Sequence, residues 1–372
     1  MEALNGLKVI ELGQFVAGPF AAKTLADFGA DVIKVESAGA GDGLRKWRIV
    51  QDGTSLWWEI QSRNKRSVCL DLKSPEGRDV ILELAKEADV VIENFKPGTL
   101  EKWGLGWEVL HEINPKLVML RISGFGQTGP YKDRAGHDIN YLSLAGVSSH
   151  CGRADSGPPP MGIQIADVAG GSHHAVMGIL AAVIHRQQTG EGQFVDISMT
   201  DAAFALNAMA GAACLAGGQE QKPERALLNG GSFYDYYQTR DGRWLSVGSL
   251  EPQFASRLFH TLGISEVTSL AMSQNPEHQQ HLKAVLKEKI AEKPLAEWQE
   301  IFADEDACVE PVLTISEAAE HPQLKARDMV IGVDRGDGTQ QPQIGFPIKF
   351  EKTPSETSRI GKMLGADNDR FL

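Results

Sequence analysis

Residues 7–36 read LKVIELGQFVAGPFAAKTLADFGADVIKVE. Leu7–Leu12 is apolar and β-branched, GQFVAGPF is a turn, AAKTLADFGA is a helix and Asp31–Glu36 is a second strand. Strand, helix and strand at this spacing make a parallel βαβ unit. The pattern recurs downstream as Ser67–Leu72, a helix over Glu76–Ala88, Asp89–Glu93, a helix near Leu100–Ile113, and Leu117–Ser123. The expected fold class is therefore α/β, with a Rossmann-like, doubly wound large domain. Gly13 and Gly18 after the first strand fit neither GxGxxG nor GxxxxGK[ST], so no dinucleotide fingerprint and no NTPase loop is supported.

Further along, Gln193–Met199 reads as another strand and Ala202–Ala216 as an Ala-rich helix, followed by a polar linker from Gly217 to Arg225. Phe233–Gln238, the turn at Arg240-Asp241-Gly242 and Trp244–Val247 form a hairpin that opens a second, α+β domain. Its helices are expected near Pro252–Leu262, His278–Glu292 and Leu295–Phe302, with a strand at Val309–Leu313. The expected division is 1–216, 217–329 and a C-terminal segment, 330–372, returning to the large domain.

The chain has 372 residues, 42% of them hydrophobic, enough for a sizeable core in two lobes. A formal net charge of −12 argues against non-specific binding to nucleic acid or an anionic membrane. Cys69, Cys151, Cys214 and Cys308 are far apart, which suits a reducing, cytoplasmic setting. No secretory signal and no apolar run of membrane-spanning length is read. Adjacent His173 and His174 point to different helix faces and make a poor chelate, so no metal site is expected.

Two features point to chemistry. In PPPMGIQIADVAGGSHHAVMGILAAVIHRQQTGEG, residues 158–192, Asp167 lies between an extended run, Met161–Ile165, and a Gly-Gly that opens a long apolar helix. It reads either as an N-cap or as a carboxylate presented at the helix start. Gly170 and Gly171 suggest that something approaches the backbone closely. The second feature is the positive charge in the loops: Arg45, Lys46, Arg48, Arg63, Lys65, Arg66, Lys96 and Lys102. Such clustering suits a ligand with several phosphates, and equally an ordinary solvated surface.

Six stretches carry a resemblance covering nearly the whole chain: VIELGQFVAGPFAAKTLADFGADVIKVE (9–36), RNKRSVCLDLKSPEG (63–77), DVVIENFKPGTLEKWGLG (89–106), SGFGQTGPY (123–131), ADVAGG (166–171) and TGEGQFVDISM (189–199). Together they resemble the class III CoA-transferase family, which includes the 2-methylacyl-CoA racemases. The resemblance implies an acyl-CoA substrate, with no permanently bound cofactor, a small carboxylic acid as second substrate, and an interlocked homodimer. It places Asp167 as the catalytic aspartate and implies CoA contacts at Val16, Arg45, Arg63, Lys65, Arg66, Leu70, Asn94, Phe95, Lys102 and Gly136.

The two branches use the aspartate differently. In a transferase it attacks the thioester, forming an anhydride and then an aspartyl-CoA thioester. In a racemase it shares an α-proton with a histidine, and GHDINY (136–141) and GSLEPQF (248–254) resemble the segments that supply His137 and an orienting Glu251. DACVEPVL (306–313) also resembles the racemases, whereas GDGLRKWRIVQDGTSLWWEIQSRNKRS (41–67) resembles the longer transferase loop. The transferase reading is carried forward, with the racemase as its alternative. Val16 and Ser37 stand where oxalate-using members have Gln and Arg, so oxalate is not the expected acceptor. A catalytically silent CoA-binding protein would be expected to lack the aspartate.

Overall fold

The computed structural model describes residues 2–371. Its central sheet has six parallel strands: β1 Lys8–Glu11, β2 Asp31–Ser37, β3 Arg66–Leu70, β4 Val90–Glu93, β5 Val118–Ser123 and β6 Phe194–Ser198. They lie in the order β3-β2-β1-β4-β5-β6. Because both faces are covered, the inner strands are mostly apolar, and β4 and β5 are buried along their whole length.

Alternation assigns the faces. Ile10, Val91 and Met119 share one core with Ile81 and Ala85 of α2 (Pro75–Ala85) and Leu110 of α3 (Trp107–Ile113). Leu120 and Ile122 face the other way, against the helical segment that contains Gly171 and Gly178. Local signals set the ends of the elements. α1 (Ala17–Asp27) stops before Gly29, whose φ of +94° is a left-handed C-terminal conformation, and α2 starts at a Ser74 cap followed by Pro75.

The strand order reverses between β1 and β4. In open parallel sheets, ligands bind outside the carboxyl ends of the strands at this switch point. Here the loop after β1 and Asn94 after β4 meet there.

The chain divides into two compact units, at other boundaries than the sequence suggested. One comprises the chain up to Ala145, Met161–Leu206 and the chain from Pro322 onward; the other is Gly146–Pro160 with Asn207–His321. Gly146–Pro160 goes with the second unit because Arg153 is bound there, donating to Asp235 at 2.7 Å and to Glu224 at 3.0 Å. That unit has a three-stranded antiparallel sheet of β7 Asp235–Gln238, β8 Trp244–Val247 and β9 Val309–Pro311, and a core around Phe233, Phe259, Leu282 and Trp298.

Other expectations are corrected. The helix near Leu100–Ile113 is two pieces, Thr99–Lys102 and α3, because Gly104 takes a φ of +71° between them. Met161–Ile165 pairs with no strand. The Ala-rich helix starts earlier, at Met199, and is interrupted after Ala205. Ile165–Thr189 forms 25 helical residues, long and apolar enough by length and composition to cross a membrane, against the expectation that no run reaches that length. One side of it packs on α1 and β5.

Candidate active site

The long apolar segment begins as a π-helix, Ile165–His173, and continues as α5, His174–Thr189. A π-helical stretch is uncommon and recurs at functional sites, because the wider turn shifts side chains out of the α-helical stagger. Asp167 is in its first turn, while Gln164 occupies the N-cap position. The capping role is therefore ruled out and the presented carboxylate remains. Gly170 and Gly171 open onto no cleft. A Cβ on Gly171 would lie 3.0 Å from Met199 and 3.4 Å from Ala17, and one on Gly170 would lie 3.4 Å from the carbonyl of Met199. What approaches the glycine backbone is α1 and α6 (Met199–Ala205).

Asp167 is half-buried. Its own N–H donates to Asp138 Oδ1 at 3.0 Å. Burial and the neighbouring Asp138 raise its carboxyl from 3.8 to about 6, while His137 acts in the opposite direction. His137 is exposed at the N-cap of α4 (Asp138–Leu144), with its N–H held by Asn140 Oδ1 at 3.0 Å. Tyr141 completes the wall. Its hydroxyl donates to the carbonyl of Gly136 at 2.5 Å, and burial together with Asp167 and Asp138 pushes it to about 12. Gly136 and Gly124 are glycines because that ring lies on them: an added Cβ would come within 2.7 Å and 2.4 Å of it.

A buried hydroxyl ties this carboxylate's segment to the switch point. Ser172 Oγ donates to the carbonyl of Ala17 at 2.7 Å and lies 3.1 Å from the carbonyl of Asp167. Three other side chains fix the loop just before Ala17. Asn94 accepts from the N–H of Gln14 at 2.7 Å and donates to its carbonyl at 2.9 Å. Lys34 Nζ donates to the carbonyl of Gly13, to Glu11 at 2.9 Å and to Asp42 at 3.1 Å. Burial opposes its charge, but Glu11 and Asp42 outweigh burial and hold it at about 12. Asp42 also accepts from the N–H of Phe15 at 3.2 Å. Phe15 is thereby held at a φ of +61°, a left-handed conformation that costs a non-glycine residue about 1–2 kcal/mol. Sequence reading missed Lys34, Asp42 and Ser172; their contacts are with residues that local patterning cannot pair with them.

The expected CoA contacts fall into two groups. Arg45, Arg63 and Lys65 are corrected: each is buried and ion-paired. Arg63 forks onto Asp27 at 2.9 and 2.6 Å and donates to the carbonyl of Ile344 at 2.7 Å. Arg45 makes two 2.7 Å bonds to Glu36 and stacks on Trp58. Lys65 lies 2.7 Å from Glu11 and donates to the carbonyl of Pro19; burial pulls it down to about 8. Their charge is spent inside the fold. Arg66 opens β3, at the amino end of the sheet, and pairs with Asp31 at 2.9 Å. Asn94 spends its amide on Gln14. Val16, Leu70 and Phe95 lie at carboxyl ends of strands or just beyond them, and Lys96 and Lys102 are exposed nearby in the chain. Glu251 is in the other unit, exposed at the N-cap of Pro252–Thr261.

A separate cleft of about 330 Å3 is lined by Pro97, Trp107, Arg121, Lys132 and Phe194, among others, and does not include Asp167. Its buried Arg121 is already flanked by Glu93 at 3.0 Å and Glu101 at 2.5 Å. Among the described residues no group of three His, Cys, Asp or Glu side chains could hold a metal ion.

Comparison with known proteins extends this geometry. The model for CoA-transferase family III matches residues 4–368. A succinyl-CoA–D-citramalate CoA-transferase from Chloroflexus aurantiacus is 37% identical over 98% of this chain and 92% of its own length. Human alpha-methylacyl-CoA racemase is 38% identical over 91% of this chain and 85% of its own length. Among solved structures, a CAIB/BAIF family protein from Brucella suis superposes with a TM-score of 0.85 at 32% identity, covering 99% of this chain and 98% of that one.

Proposed function

Because the chain belongs to CoA-transferase family III, we propose that it moves coenzyme A from an acyl-CoA to a carboxylic acid through covalent intermediates on Asp167. The observation that carries this reading is the Asp167 carboxylate itself: half-desolvated, poised at about 6, and tied through Ser172 to the switch-point loop. At neutral pH it is largely ionised, and partial loss of hydration makes it a better nucleophile than a solvated carboxylate.

The chemistry follows from one carboxylate meeting one thioester. An Asp167 oxygen attacks the thioester carbonyl carbon and the C–S bond breaks, giving CoA thiolate and an acyl-aspartyl anhydride. The thiolate then attacks the aspartyl carbonyl, releasing the donor acid and leaving an aspartyl-CoA thioester. An acceptor carboxylate displaces the thiolate from that carbonyl, and the thiolate attacks the acceptor's acyl carbon, freeing Asp167. Coenzyme A thus enters and leaves as substrate. Val16, Leu70, Phe95, Lys96 and Lys102 at the carboxyl edge are its proposed contacts, the lysines taking the phosphates.

A homodimer of interlocked chains is part of the proposal. Within the large unit, Met177 and Ile184 on α5 and Phe204 on α6 are each 55% exposed. This exposed apolar area supports the reading of an association between two copies of the chain.

His137 beside Asp167 favours a second reading, α-proton exchange between the two, as the racemase relative's name suggests. Incubation with a panel of acyl-CoAs in deuterated water, with and without free carboxylic acids, separates the readings. New CoA esters that require an acceptor support transfer. Deuterium at the α-carbon without an acceptor supports the racemase.

A further inference from the structure

Residues 94–102, which carry the proposed contacts Phe95, Lys96 and Lys102, have little of their own to hold them in place. Their one helical stretch, Thr99–Lys102, is a single turn between left-handed Gly98 and Gly104, with φ of +81° and +71°. One turn does not sustain itself, because fixing its backbone costs more than its first hydrogen bond returns. Leu100 is its only buried side chain. On another side Pro97, Gly98 and Glu101 line the cleft of about 330 Å3, so open volume stands where packing would otherwise fix the loop.

Arg121 supplies a tether. It projects from β5, is 5% exposed and has a carboxylate on either side: its Nε lies 3.0 Å from Glu93 Oε1 and its Nη2 2.5 Å from Glu101 Oε1. Glu93 closes β4, and its second oxygen accepts the N–H of Phe95 at 2.6 Å. The ring of Phe95 meets Trp103 edge to face at 5.3 Å. One guanidinium thus spans from the residue that starts the loop to the residue beside Lys102. A planar fork holds two carboxylates in fixed directions, which the point charge of an ammonium does not. Unlike Arg45, Arg63 and Lys65, Lys96 and Lys102 are exposed and make no ion pair among the described residues, so their charges stay available.

We propose that Arg121 is a positioning residue for coenzyme A: it grips Glu93 and Glu101, toward the two ends of the loop, and so presents Phe95, Lys96 and Lys102 in one preformed arrangement. The inference rests on the reading that these three residues contact coenzyme A. A ligand that meets an ordered loop forfeits less freedom on binding, so Arg121 acts on affinity through the loop.

Calorimetry with coenzyme A itself on the full-length protein tests it. Arg121→Lys keeps a buried positive charge but cannot fork onto both carboxylates, and should weaken binding about tenfold. Glu101→Gln alters only the half-exposed partner, leaves the buried Glu93 pair intact and should weaken binding about threefold. Both effects should shrink to under about twofold when Lys96 and Lys102 are already Ala, because a positioning residue acts through the contacts it positions. In turnover, the same two variants should raise the KM for acyl-CoA and leave kcat within about twofold. Coenzyme A affinity unchanged in both Arg121→Lys and Glu101→Gln would overturn the proposal, as would losses of equal size with and without the two lysines. The protein carrying Lys96→Ala and Lys102→Ala alone tests the contact reading separately. It should bind coenzyme A at least about tenfold more weakly, and an unchanged affinity would remove that reading and the proposal with it.

Discussion

Replacing Asp167 by Asn tests the site through two independent readouts. The amide cannot attack a thioester, so formation of new CoA esters should fall to background. The same change should stabilise the protein. A carboxyl whose folded value is about 6 against 3.8 when free is penalised for being charged in the fold. At about 1.4 kcal/mol per pH unit this amounts to about 3 kcal/mol at neutral pH, and solvent access to the half-buried group reduces the expected effect to about 1.5 kcal/mol. The sign follows from proton binding: the native state holds this proton more tightly than the unfolded state. Wild type is therefore favoured below 3.8 and loses that contribution as pH rises through about 6. The advantage of Asn should be full above about pH 7 and shrink to about a third near pH 4.5. Thermal unfolding of both proteins at these two pH values measures it, with a gain of about 2 °C expected at the higher one. Equal melting temperatures at neutral pH, or transfer activity retained by freshly purified Asn protein free of deamidation, would refute the reasoning.

Further expectations concern the groups around that carboxylate. The kcat/KM for CoA transfer should fall on the acid side with an apparent value near 6, and a limb near 4 would show a solvated aspartate instead. His137→Gln should reduce CoA transfer by less than about tenfold; a loss of about 100- to 10,000-fold, with α-deuterium uptake by wild type lacking acceptor, would assign the acid–base role. Arg63→Ala should leave Asp27 buried without its fork and cost about 3–5 kcal/mol in denaturant unfolding, and near-normal stability with a raised KM for acyl-CoA would restore the phosphate role. Asn94→Ala should free Gln14 and lower kcat by about tenfold or more through misplacement of the loop, measured against a KM change of smaller size.

The α/β framework was legible because strand and helix periods are local: Leu7–Leu12 and Asp31–Glu36 announce themselves within a few residues. Asp167 was legible by motif, but its setting was not, since a π-helical turn has no sequence signal distinct from an α-helix. The basic loops show the limit most clearly. Arg45, Arg63 and Lys65 read as surface charge because their carboxylates, on Glu36, Asp27 and Glu11, lie 9, 36 and 54 residues earlier in the chain. Conversely, Phe15 looked like one apolar residue in a turn. Only the Asp42 clamp on its N–H, 27 residues away in the chain, shows the left-handed backbone it adopts.

Those buried pairs have a consequence for how the unit comes apart. Asp27–Arg63, Glu11–Lys65 and Glu11–Lys34 each join different segments of the first three strands and their connections, and each loses its compensation if one segment leaves alone. A partly opened state would strand a desolvated charge, whereas complete opening returns every charge to water. Local fraying of β1, β2 or β3 is therefore disfavoured relative to their joint release. In native-state hydrogen exchange the slow amides of Lys8–Glu11, Asp31–Ser37 and Arg66–Leu70 should merge into a single class with one opening free energy and one denaturant dependence.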